Sequence, residues 1–333
     1  MEEKNKPKRK KRYIVLGILT GLLAAIVIFT YATPLPASWL LRAAFKYPPV
    51  VKPEGYAQME KSVRVIKDAV YPSEYKKNTA DIYLPIESDT LFPVILWAHG
   101  GAYVGGDKTD VTYYATALAS QGYAVIAMNY ALAPEEKYPA QLLQVTEAYN
   151  YIDSIKEECS LDMAKLVLAG DSAGASLMAQ FALVQTVPEY AKKYGFKASA
   201  ATESLRGLLL YCGPYDVARI ADAGGLFGFF LNRSAWAYFG SNDWQNKFGN
   251  ELSISEYVTE SFPPCFITDG NTNSFLLHGE DLAETLKSKN VYVDTYFMSL
   301  EEERTSHEYQ FDMSTESGKK CYAGTLKFLE KLM

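Results

Sequence analysis

Histidine and cysteine are scarce in this chain of 333 residues, which has only three of the first and four of the second. The cysteines form neither a C-x-x-C pair nor a cluster with histidine, so the sequence indicates no zinc site. Two of them, Cys212 and Cys265, lie in apolar, strand-like runs, and we predict that they are buried thiols. A metal centre built on cysteine is therefore not expected.

The chain also lacks the features of phosphate and nucleic-acid binding. Its net charge is −6, and residues 1–12 alone carry seven Lys or Arg against two Glu, so the remainder sums to −11. Such an acidic body offers no basic face to a phosphate backbone. It contains no G-x-G-x-x-G or G-K-[ST] loop, no internal repeat and no low-complexity tract. We expect no cofactor and no nucleic-acid partner.

Charge is absent from residues 13–33, directly after the basic segment. As a helix rising 1.5 Å per residue, this run can cross a hydrocarbon core of about 30 Å. A cleavable signal peptide is the alternative, but its apolar region is usually only about 7–15 residues long, and no clean small-x-small cleavage site follows here. We predict a cytoplasmic tail at 1–12, a single-pass anchor at 13–33 in the cell membrane, and a body outside it, because positive charge stays on the cytoplasmic side.

Apolar strand-like runs alternate with helix-length segments from about residue 78 to the end. The predicted strands are 79–85, 92–100, 123–130, 164–170, 205–213, 264–270 and 291–298. Such alternation is typical of an α/β domain with a mostly parallel sheet between helices, and we assign it to 78–333. Active sites of these sheets lie at the carboxyl ends of the strands.

Two segments do not fit the alternation. Residues 34–77 mix prolines with large apolar side chains such as Trp39 and Leu40, and we predict a linker that also contributes to a cap. Residues 217–249 are rich in aromatics, including Trp236 and Trp244. We interpret this second segment as a cap insertion over the active edge of the sheet.

The stretch "LVLAGDSAGASLMAQ" (166–180) passes from an apolar strand into a helix through Gly-Asp-Ser-Ala-Gly. A G-x-S-x-G turn in this context is typical of a nucleophile elbow, whose glycines permit a tight, strained turn. Ser172 would then stand at a helix N-terminus, where unpaired N–H groups favour developing negative charge. The alternative is an ordinary serine N-cap, but the strand-to-helix context favours a nucleophile.

A second glycine-rich stretch, "HGGAYVGG" (99–106), follows the strand at 92–100. Glycines at a strand end let backbone N–H groups approach a ligand closely. Acyl transfer needs such donors where an oxyanion forms. Gly100, Gly101 and the N–H of Ala173 are therefore the candidate oxyanion hole.

Together with "YALAPEEKYPA" (130–140), these two motifs resemble the hormone-sensitive-lipase group of α/β-hydrolase esterases. The resemblance covers roughly residues 70–333, and Ala131 departs from it where the group usually has arginine. It implies an α/β-hydrolase fold, a Ser-Asp-His order along the chain, and esters of short or medium acids as substrates. It also implies that an N-terminal segment contributes to the cap.

Only three histidines can supply a base, namely His99, His278 and His307. His99 belongs to the glycine-rich loop, and His278 is predicted to be a surface residue. His307 follows the last strand, where the resembled group carries its catalytic histidine. With an ordinary pKa of about 6.5, a histidine can take the proton of a serine near neutral pH. We predict that His307 is the base.

The acid is the part of the triad that the sequence does not settle. Matching Gly270 to the group's glycine puts Asn273 at the position of the acid. Asn273 could orient His307 through its amide oxygen, since asparagine serves this role in papain-like enzymes. Alternatively Asp269 or Asp216 could substitute, although the group often uses an aspartate at the latter position structurally. The third alternative is that fast catalysis has been lost.

These observations predict a membrane-anchored serine hydrolase that cleaves carboxylic esters through an acyl-enzyme. One alternative is a weak or inactive relative that binds a ligand at the cell surface, which Asn273 favours and the retained Ser172 and His307 oppose. An amidase or peptidase on the same fold is another, because nothing in the motifs separates amides from esters.

Overall fold

A mixed, eight-stranded sheet forms the centre of the computed structural model, which describes residues 6–46, 51–86, 90–222 and 224–333. Part of the predicted cytoplasmic tail and short pieces of the linker and the cap insertion lie outside these ranges. The strands are β1 (Val63–Val70), β2 (Thr79–Pro85), β3 (Phe92–Ala98), β4 (Ala124–Met128), β5 (Leu161–Asp171), β6 (Leu205–Tyr211), β7 (Cys265–Asp269) and β8 (Val293–Phe297).

The strands are ordered β1-β2-β4-β3-β5-β6-β7-β8 across the sheet. The first two pairings, β1 with β2 and β2 with β4, are antiparallel, and the strands from β4 to β8 run parallel. The interior strands β3, β4 and β6 are buried over nearly their whole length, which explains their continuous apolar runs. The carboxyl ends of β3, β5, β7 and β8 therefore meet at one edge.

Strand β1 was not predicted, and it lies inside the segment 34–77 that the sequence assigned to linker and cap. It is an edge strand paired on one side only, with most of its side chains exposed. Because its solvent-facing positions carry Arg64, Lys67 and Asp68, no apolar run marks it in the sequence. The sheet thus begins at Val63 and not near residue 78.

Helices cover both faces of the sheet. The helices of the described residues, including some that do not lie on the sheet, are α1 (Lys6–Ala32), α2 (Leu35–Ala44), α3 (Tyr56–Lys61), α4 (Thr112–Ala119), α5 (Ala140–Ser154), α6 (Ala173–Thr186), α7 (Pro188–Tyr194), α8 (Val217–Asp222), α9 (Gly225–Phe239), α10 (Trp244–Phe248), α11 (Ile254–Tyr257), α12 (Leu276–Ser288) and α13 (Glu316–Leu332). Helices α4 and α13 bury apolar side chains against one face, and α5, α6 and α12 against the other.

All four cysteines are buried with free thiols. The burial of Cys212 and Cys265 agrees with the sequence interpretation. Burial raises the pKa of both thiols far above the usual range, so they stay protonated at neutral pH.

A separate apolar cluster joins the segment 217–249 to the glycine-rich loop. Its side chains come from α8, α9 and α10 together with Val104 and Ala133 of the body, and Leu41 of α2 packs against it. Arg42 fixes α2 in place, because its guanidinium donates to the carbonyl oxygens of Val104 at 2.7 Å and Ala133 at 2.8 Å. Three cap helices and α2 therefore lie over the edge where the strand ends meet.

Helix α1 contains one segment, Lys11–Ala32, that is long and apolar enough to cross a membrane. None of its apolar window is buried against the rest of the protein. Length and composition do not separate an anchor from a signal sequence at this position.

Candidate active site

Ser172 lies in a sharp turn between β5 and α6, in a conformation that L-residues rarely adopt (φ 49°, ψ −118°). Its N–H donates to the carbonyl oxygen of Tyr211 at 2.8 Å, which holds the turn against β6. A side chain on Gly170 would overlap the backbone of Gly174, and one on Gly174 would overlap the carbonyl of Ala98. Only glycine fits at these two positions, so the local sequence enforces the turn that presents Ser172.

His307 lies beyond β8, and its ring reaches the serine. Its Nε2 is 3.0 Å from Ser172 Oγ, and its Nδ1 is 2.7 Å from Ser274 Oγ. The hydroxyl of Ser274 in turn donates to Asp269 Oδ1 in a very short hydrogen bond. Because Ser274 has a single hydroxyl proton and gives it to Asp269, it must accept from Nδ1–H, which leaves Nε2 free to accept from Ser172.

Asp269 ends β7 and is fully buried. Its Oδ1 also accepts the N–H of Phe275 at 3.2 Å, whereas Oδ2 has no partner among the described residues. Burial raises the pKa of this carboxyl from 3.8 to about 7, and the hydrogen bond from Ser274 opposes the rise. A group that titrates near neutral pH therefore stands one hydroxyl away from the base.

The other two candidate acids are placed elsewhere. Asn273 is exposed with φ 49°, and it makes no hydrogen bond to His307 among the described residues. Asp216 pairs with Arg219 at 3.5 Å and accepts from Ser253 at 3.4 Å. The structure thus brings Ser172, His307 and Asp269 together and leaves Asn273 and Asp216 outside the chain of hydrogen bonds.

Ser274 is the member of this arrangement that sequence reasoning missed. It follows Asn273 directly, and no motif distinguishes it from the other small polar residues of the "GNTNSF" turn. The one signal in the sequence was that Ser274 follows Asp269 by five positions. This spacing indicates a contact only when the turn is known to fold back on β7.

In the glycine-rich loop, the N–H of Gly100 is not free to bind an oxyanion, contrary to the prediction. The N–H of Gly100 donates to Asp171 Oδ2 at 2.7 Å, and this bond occupies it. The N–H groups of Gly101, Ala102 and Ala173 have no protein acceptor within the described residues. Ala102 and Ala173 line the same cavity as Ser172. Of the three predicted donors, Gly101 and Ala173 are thus available, and Ala102 adds a third.

Two carboxyl groups stand beside the serine. Asp171 accepts the indole N–H of Trp97 at 2.8 Å as well as the N–H of Gly100, and burial raises its pKa to about 6. Burial and the neighbouring Asp171 raise the pKa of Glu308 well above its usual value. Glu308 Oε1 lies 3.7 Å from Nε2 of His307. The raised pKa favours the protonated form of Glu308, whereas Asp171 is mostly ionised at neutral pH and its charge is stabilised by the N–H groups of Trp97 and Gly100.

The three histidines have different environments. Enclosure of the ring lowers the pKa of His307 to about 4, so it is neutral and able to accept a proton at pH 7. His99 is buried in the glycine-rich loop, where it stacks on Tyr130 with ring centroids 4.4 Å apart. His278, predicted at the surface, is instead buried at the start of α12, where its Nδ1 accepts the N–H of Asp216 at 3.2 Å.

A small cavity of about 50 Å³ adjoins Ser172. Apart from the serines, its walls are apolar or aromatic, and half of the lining residues come from the cap segment 217–249. The lining residues are Ala102, Tyr103, Ser172, Ala173, Pro214, Val217, Ile220, Leu231, Ser234, Ala235, Tyr238, Phe239, Leu252 and Phe275. One water molecule needs roughly 10–15 Å³ on this scale, so the cavity holds only a few non-hydrogen atoms.

Cys212, Asp269 and His307 also bring potential metal-ligating atoms within 4.8 Å of one another. Both ring nitrogens of His307 and Oδ1 of Asp269 already make the hydrogen bonds described above. Burial keeps the thiol of Cys212 protonated, whereas a metal ligand must be a thiolate. The chemistry of this group favours proton transfer over metal binding.

A mixed sheet between helices, with a serine turn after β5 and a histidine beyond β8, defines an α/β-hydrolase. Within that class the chain belongs to the BD-FAE family, whose model matches residues 80–286.

Known proteins agree with this assignment. An acetyl esterase of Salmonella paratyphi B (strain ATCC BAA-1250 / SPB7) is 26% identical over 239 residues, which cover 67% of each chain. A putative alpha/beta hydrolase of Acanthamoeba polyphaga mimivirus is 30% identical over 33% of this chain and 32% of its own. Esterase B of Lactobacillus rhamnosis superposes with a TM-score of 0.72 at 19% identity, covering 94% of this chain and 95% of that one.

These likenesses confirm the predicted fold and the predicted resemblance to α/β-hydrolase esterases. The protein is accordingly a carboxylesterase-like hydrolase.

Proposed function

We propose that the protein is a membrane-anchored serine esterase that cleaves short acyl esters through an acyl-enzyme. One observation carries the proposal: Ser172 Oγ lies 3.0 Å from His307 Nε2 in a strained turn at the strand edge. This is the distance at which a general base can take the proton of a nucleophile.

In the proposed reaction Ser172 Oγ attacks the ester carbonyl while His307 Nε2 takes its proton. The imidazolium keeps its Nδ1–H directed at Ser274, whose hydroxyl donates to the carboxylate of Asp269. Asp269 thus stabilises the positive charge through one intervening hydroxyl. The proton then passes to the departing alcohol, and a water molecule, activated by the same histidine, releases the acid from Ser172.

The developing oxyanion would receive the N–H groups of Gly101, Ala102 and Ala173. Ala173 is the first residue of α6, so the helix dipole adds to its N–H. We do not assign Gly100 to this role because Asp171 accepts its N–H. The raised pKa of Glu308 supports the arrangement, since it favours the neutral form of the carboxyl near the oxyanion, whereas the charge of Asp171 is stabilised by the N–H groups of Trp97 and Gly100.

The size of the cavity supports a short acyl group. A volume of about 50 Å³ accommodates acetyl to about butyryl and excludes long chains unless the cap moves. Relatives agree with this choice, because the Salmonella proteins are named acetyl esterases and a structure of esterase B carries a C4-C4 tributyrin phosphonate inhibitor. Substrates with acetyl or butyryl groups are therefore proposed for this chain.

The proposal includes the location of the enzyme. The segment Lys11–Ala32 would anchor the chain in the cell membrane, and the basic residues before it would keep the N-terminus in the cytoplasm. The hydrolase body would then face the outside of the cell.

The test uses the full chain in detergent micelles and p-nitrophenyl esters from acetyl to decanoyl. We expect hydrolysis that is fastest for acetyl to butyryl and that Ser172→Ala lowers by roughly 10⁴-fold or more. Ser154→Ala, an exposed serine of α5, is the matched control and should leave the rate unchanged. Equal rates in wild type and Ser172→Ala, on any of these esters, would refute the serine mechanism.

A further inference from the structure

The anchor segment and helix α2 are almost continuous. Helix α1 ends at Ala32 and α2 begins at Leu35, so only Thr33 and Pro34 separate them. Two residues span at most about 7 Å. If α1 crosses a bilayer, as the proposed function states, α2 must lie at the surface of that bilayer.

Helix α2 has two unlike faces. Ala37 and Ser38 are buried against the body, whereas Trp39 and Leu40 have more than half of their surface exposed (54% and 59%). Tryptophan is enriched at membrane–water interfaces, where its ring sits at the level of the headgroups. The outward face of α2 thus carries the side chains expected at the boundary that its position implies.

Cap helix α9 packs against the same junction. The ring of Tyr31, at the end of α1, lies 6.1 Å from that of Phe229, and the guanidinium of Arg233 stacks over both rings. Arg233 also donates to the carbonyl oxygen of Tyr31 at 3.3 Å. The end of the anchor is therefore fixed to the cap by specific contacts as well as by the chain.

The exposed beginning of α9 leads towards the active site. Leu226 is 73% exposed, and its neighbour Phe227 lies 5.7 Å from Phe275. Phe275 lines the acyl cavity and lies 5.4 Å, ring to ring, from His307. A row of apolar side chains thus connects the surface of α9 to the catalytic base.

We infer that Trp39, Leu40, Leu226 and Phe227, the membrane-facing surface, insert into the headgroup boundary of the bilayer that holds α1. The mouth of the active site then opens at the lipid surface. Its substrates are short acyl esters of lipid-soluble alcohols that partition into the membrane, with the small acyl group in the cavity and the alcohol towards the lipid. This inference rests on the proposed esterase function and on the anchor, and it adds the source of the substrate.

The experiment uses the full chain reconstituted in phosphatidylcholine vesicles and two acetate esters. Hexadecyl acetate dissolves in the bilayer, and p-nitrophenyl acetate reaches the enzyme from water. We expect the double variant Trp39→Ser/Leu226→Ser to lose about fivefold or more in kcat/KM on hexadecyl acetate, because fivefold corresponds to about 1 kcal/mol, which the two side chains together exceed when buried at the interface. The rate on p-nitrophenyl acetate should stay within about twofold of wild type.

Leu91→Ser is the matched control. Leu91 is 56% exposed and directly precedes β3. It therefore lies at the amino end of that strand, whereas the active site lies at the carboxyl ends. It should alter neither rate. Brominated phosphatidylcholine should quench tryptophan fluorescence in the wild type and quench it less in Trp39→Phe.

Each other outcome has a distinct meaning. Equal activity of the double variant and wild type on hexadecyl acetate overturns the inference, as does an equal loss on both esters. Absence of lipid quenching, with self-association that the double variant loses, would assign the surface to a second copy of the chain. Hydrolysis of neither ester by wild type would instead refute the esterase function, and release of the protein from vesicles by alkaline carbonate would refute the anchor.

Discussion

Two turns at the active edge of the sheet each contain a non-glycine residue with the same positive φ, in different surroundings. Ser172, after β5, and Asn273, after β7, both have φ 49°. At the first turn the residue with positive φ is buried and carries the side chain that faces His307. At the second, the residue with positive φ is exposed, and the hydrogen bonds towards His307 are made by Asp269, four residues before it, and Ser274, directly after it.

The difference shows that the place of a residue in a sequence motif does not by itself determine which side chain is linked to His307. Glycine allows close approach at both turns, because a side chain on Gly270 would overlap the carbonyl of Ser306 just as one on Gly174 would overlap that of Ala98. In the second turn the position that the resemblance gives to the acid holds Asn273, and the carboxylate linked to His307 is that of Asp269 at the strand end. The following predictions test whether this description of the second turn is correct.

The largest expected effect is that of Asp269→Asn. Loss of the carboxylate removes the charge that stabilises the His307 imidazolium, and we expect kcat to fall by roughly 10³–10⁴-fold, as at other serine triads. Asn273→Ala is the matched change at the exposed position and should keep kcat within about threefold. Steady-state kinetics on p-nitrophenyl acetate measures both. The reverse pattern would return the role of the acid to Asn273.

Ser274→Ala should have the next largest effect. It removes the hydroxyl between the base and the acid, so Nδ1–H of His307 loses its acceptor, and we expect kcat to fall about 10- to 100-fold with little change in KM. Ser274→Thr keeps a hydroxyl and should recover most of the activity. An unchanged kcat in Ser274→Ala would mean that His307 needs no partner at Nδ1.

The pH dependence of kcat/KM should report Asp269. Its pKa of about 7 lies above that of His307, about 4, so activity should rise roughly tenfold per unit below pH 7 as the carboxyl ionises. In Asp269→Asn this limb should disappear, leaving a low rate that is flat from about pH 5 to 8. Persistence of a limb near pH 7 in the variant would assign the titration to another group, such as Asp171.

The stability of the fold should depend on pH in the opposite direction to the activity, through the same carboxyl group of Asp269. A folded-state pKa of about 7, against an ordinary value of 3.8, means that the fold binds an extra proton between these values and loses stability as pH rises through this window. Asp269→Asn should therefore raise Tm by roughly 3–8 °C at pH 8 and leave it unchanged at pH 4. Thermal unfolding at the two pH values measures this, and a lower Tm at pH 8 would show that ionised Asp269 stabilises the fold.

Much of this site could be predicted from sequence because short-range sterics fix it. Ser172 is presented by glycines two residues before it and two residues after it, so the signal for this turn is local in the sequence. His307 could be found because so few histidines are available. The sequence left three candidates for the acid, Asn273, Asp269 and Asp216. It could not choose among them, because the link between Asp269 and His307 depends on a five-residue loop folding back and on one hydroxyl, neither of which has a sequence pattern.

The fold, like the site, has a part that could be predicted from sequence and a part that could not. Strands β2 to β7 are largely buried and have apolar runs that mark them, whereas β1 is mostly exposed and had no such signal. The role of Gly100 was likewise beyond prediction, since its N–H is taken by Asp171 from a different strand. Buried strands can be recognised from their apolar runs, whereas polar contacts between residues distant in sequence produce no comparable pattern.

The smallest expected effect concerns Asn273 itself. If its function is to hold φ 49°, Asn273→Gly should leave the free energy of unfolding within about 0.5 kcal/mol, because glycine adopts this conformation freely. Asn273→Ala should cost about 1 kcal/mol, because alanine lacks the tolerance of asparagine for the left-handed region. Denaturant unfolding of the two variants, compared with their kcat values, separates a backbone role of Asn273 from a catalytic role. A stability loss in Asn273→Ala with kcat retained would establish that this turn uses its positive-φ residue for backbone shape, whereas the turn at Ser172 uses it for chemistry.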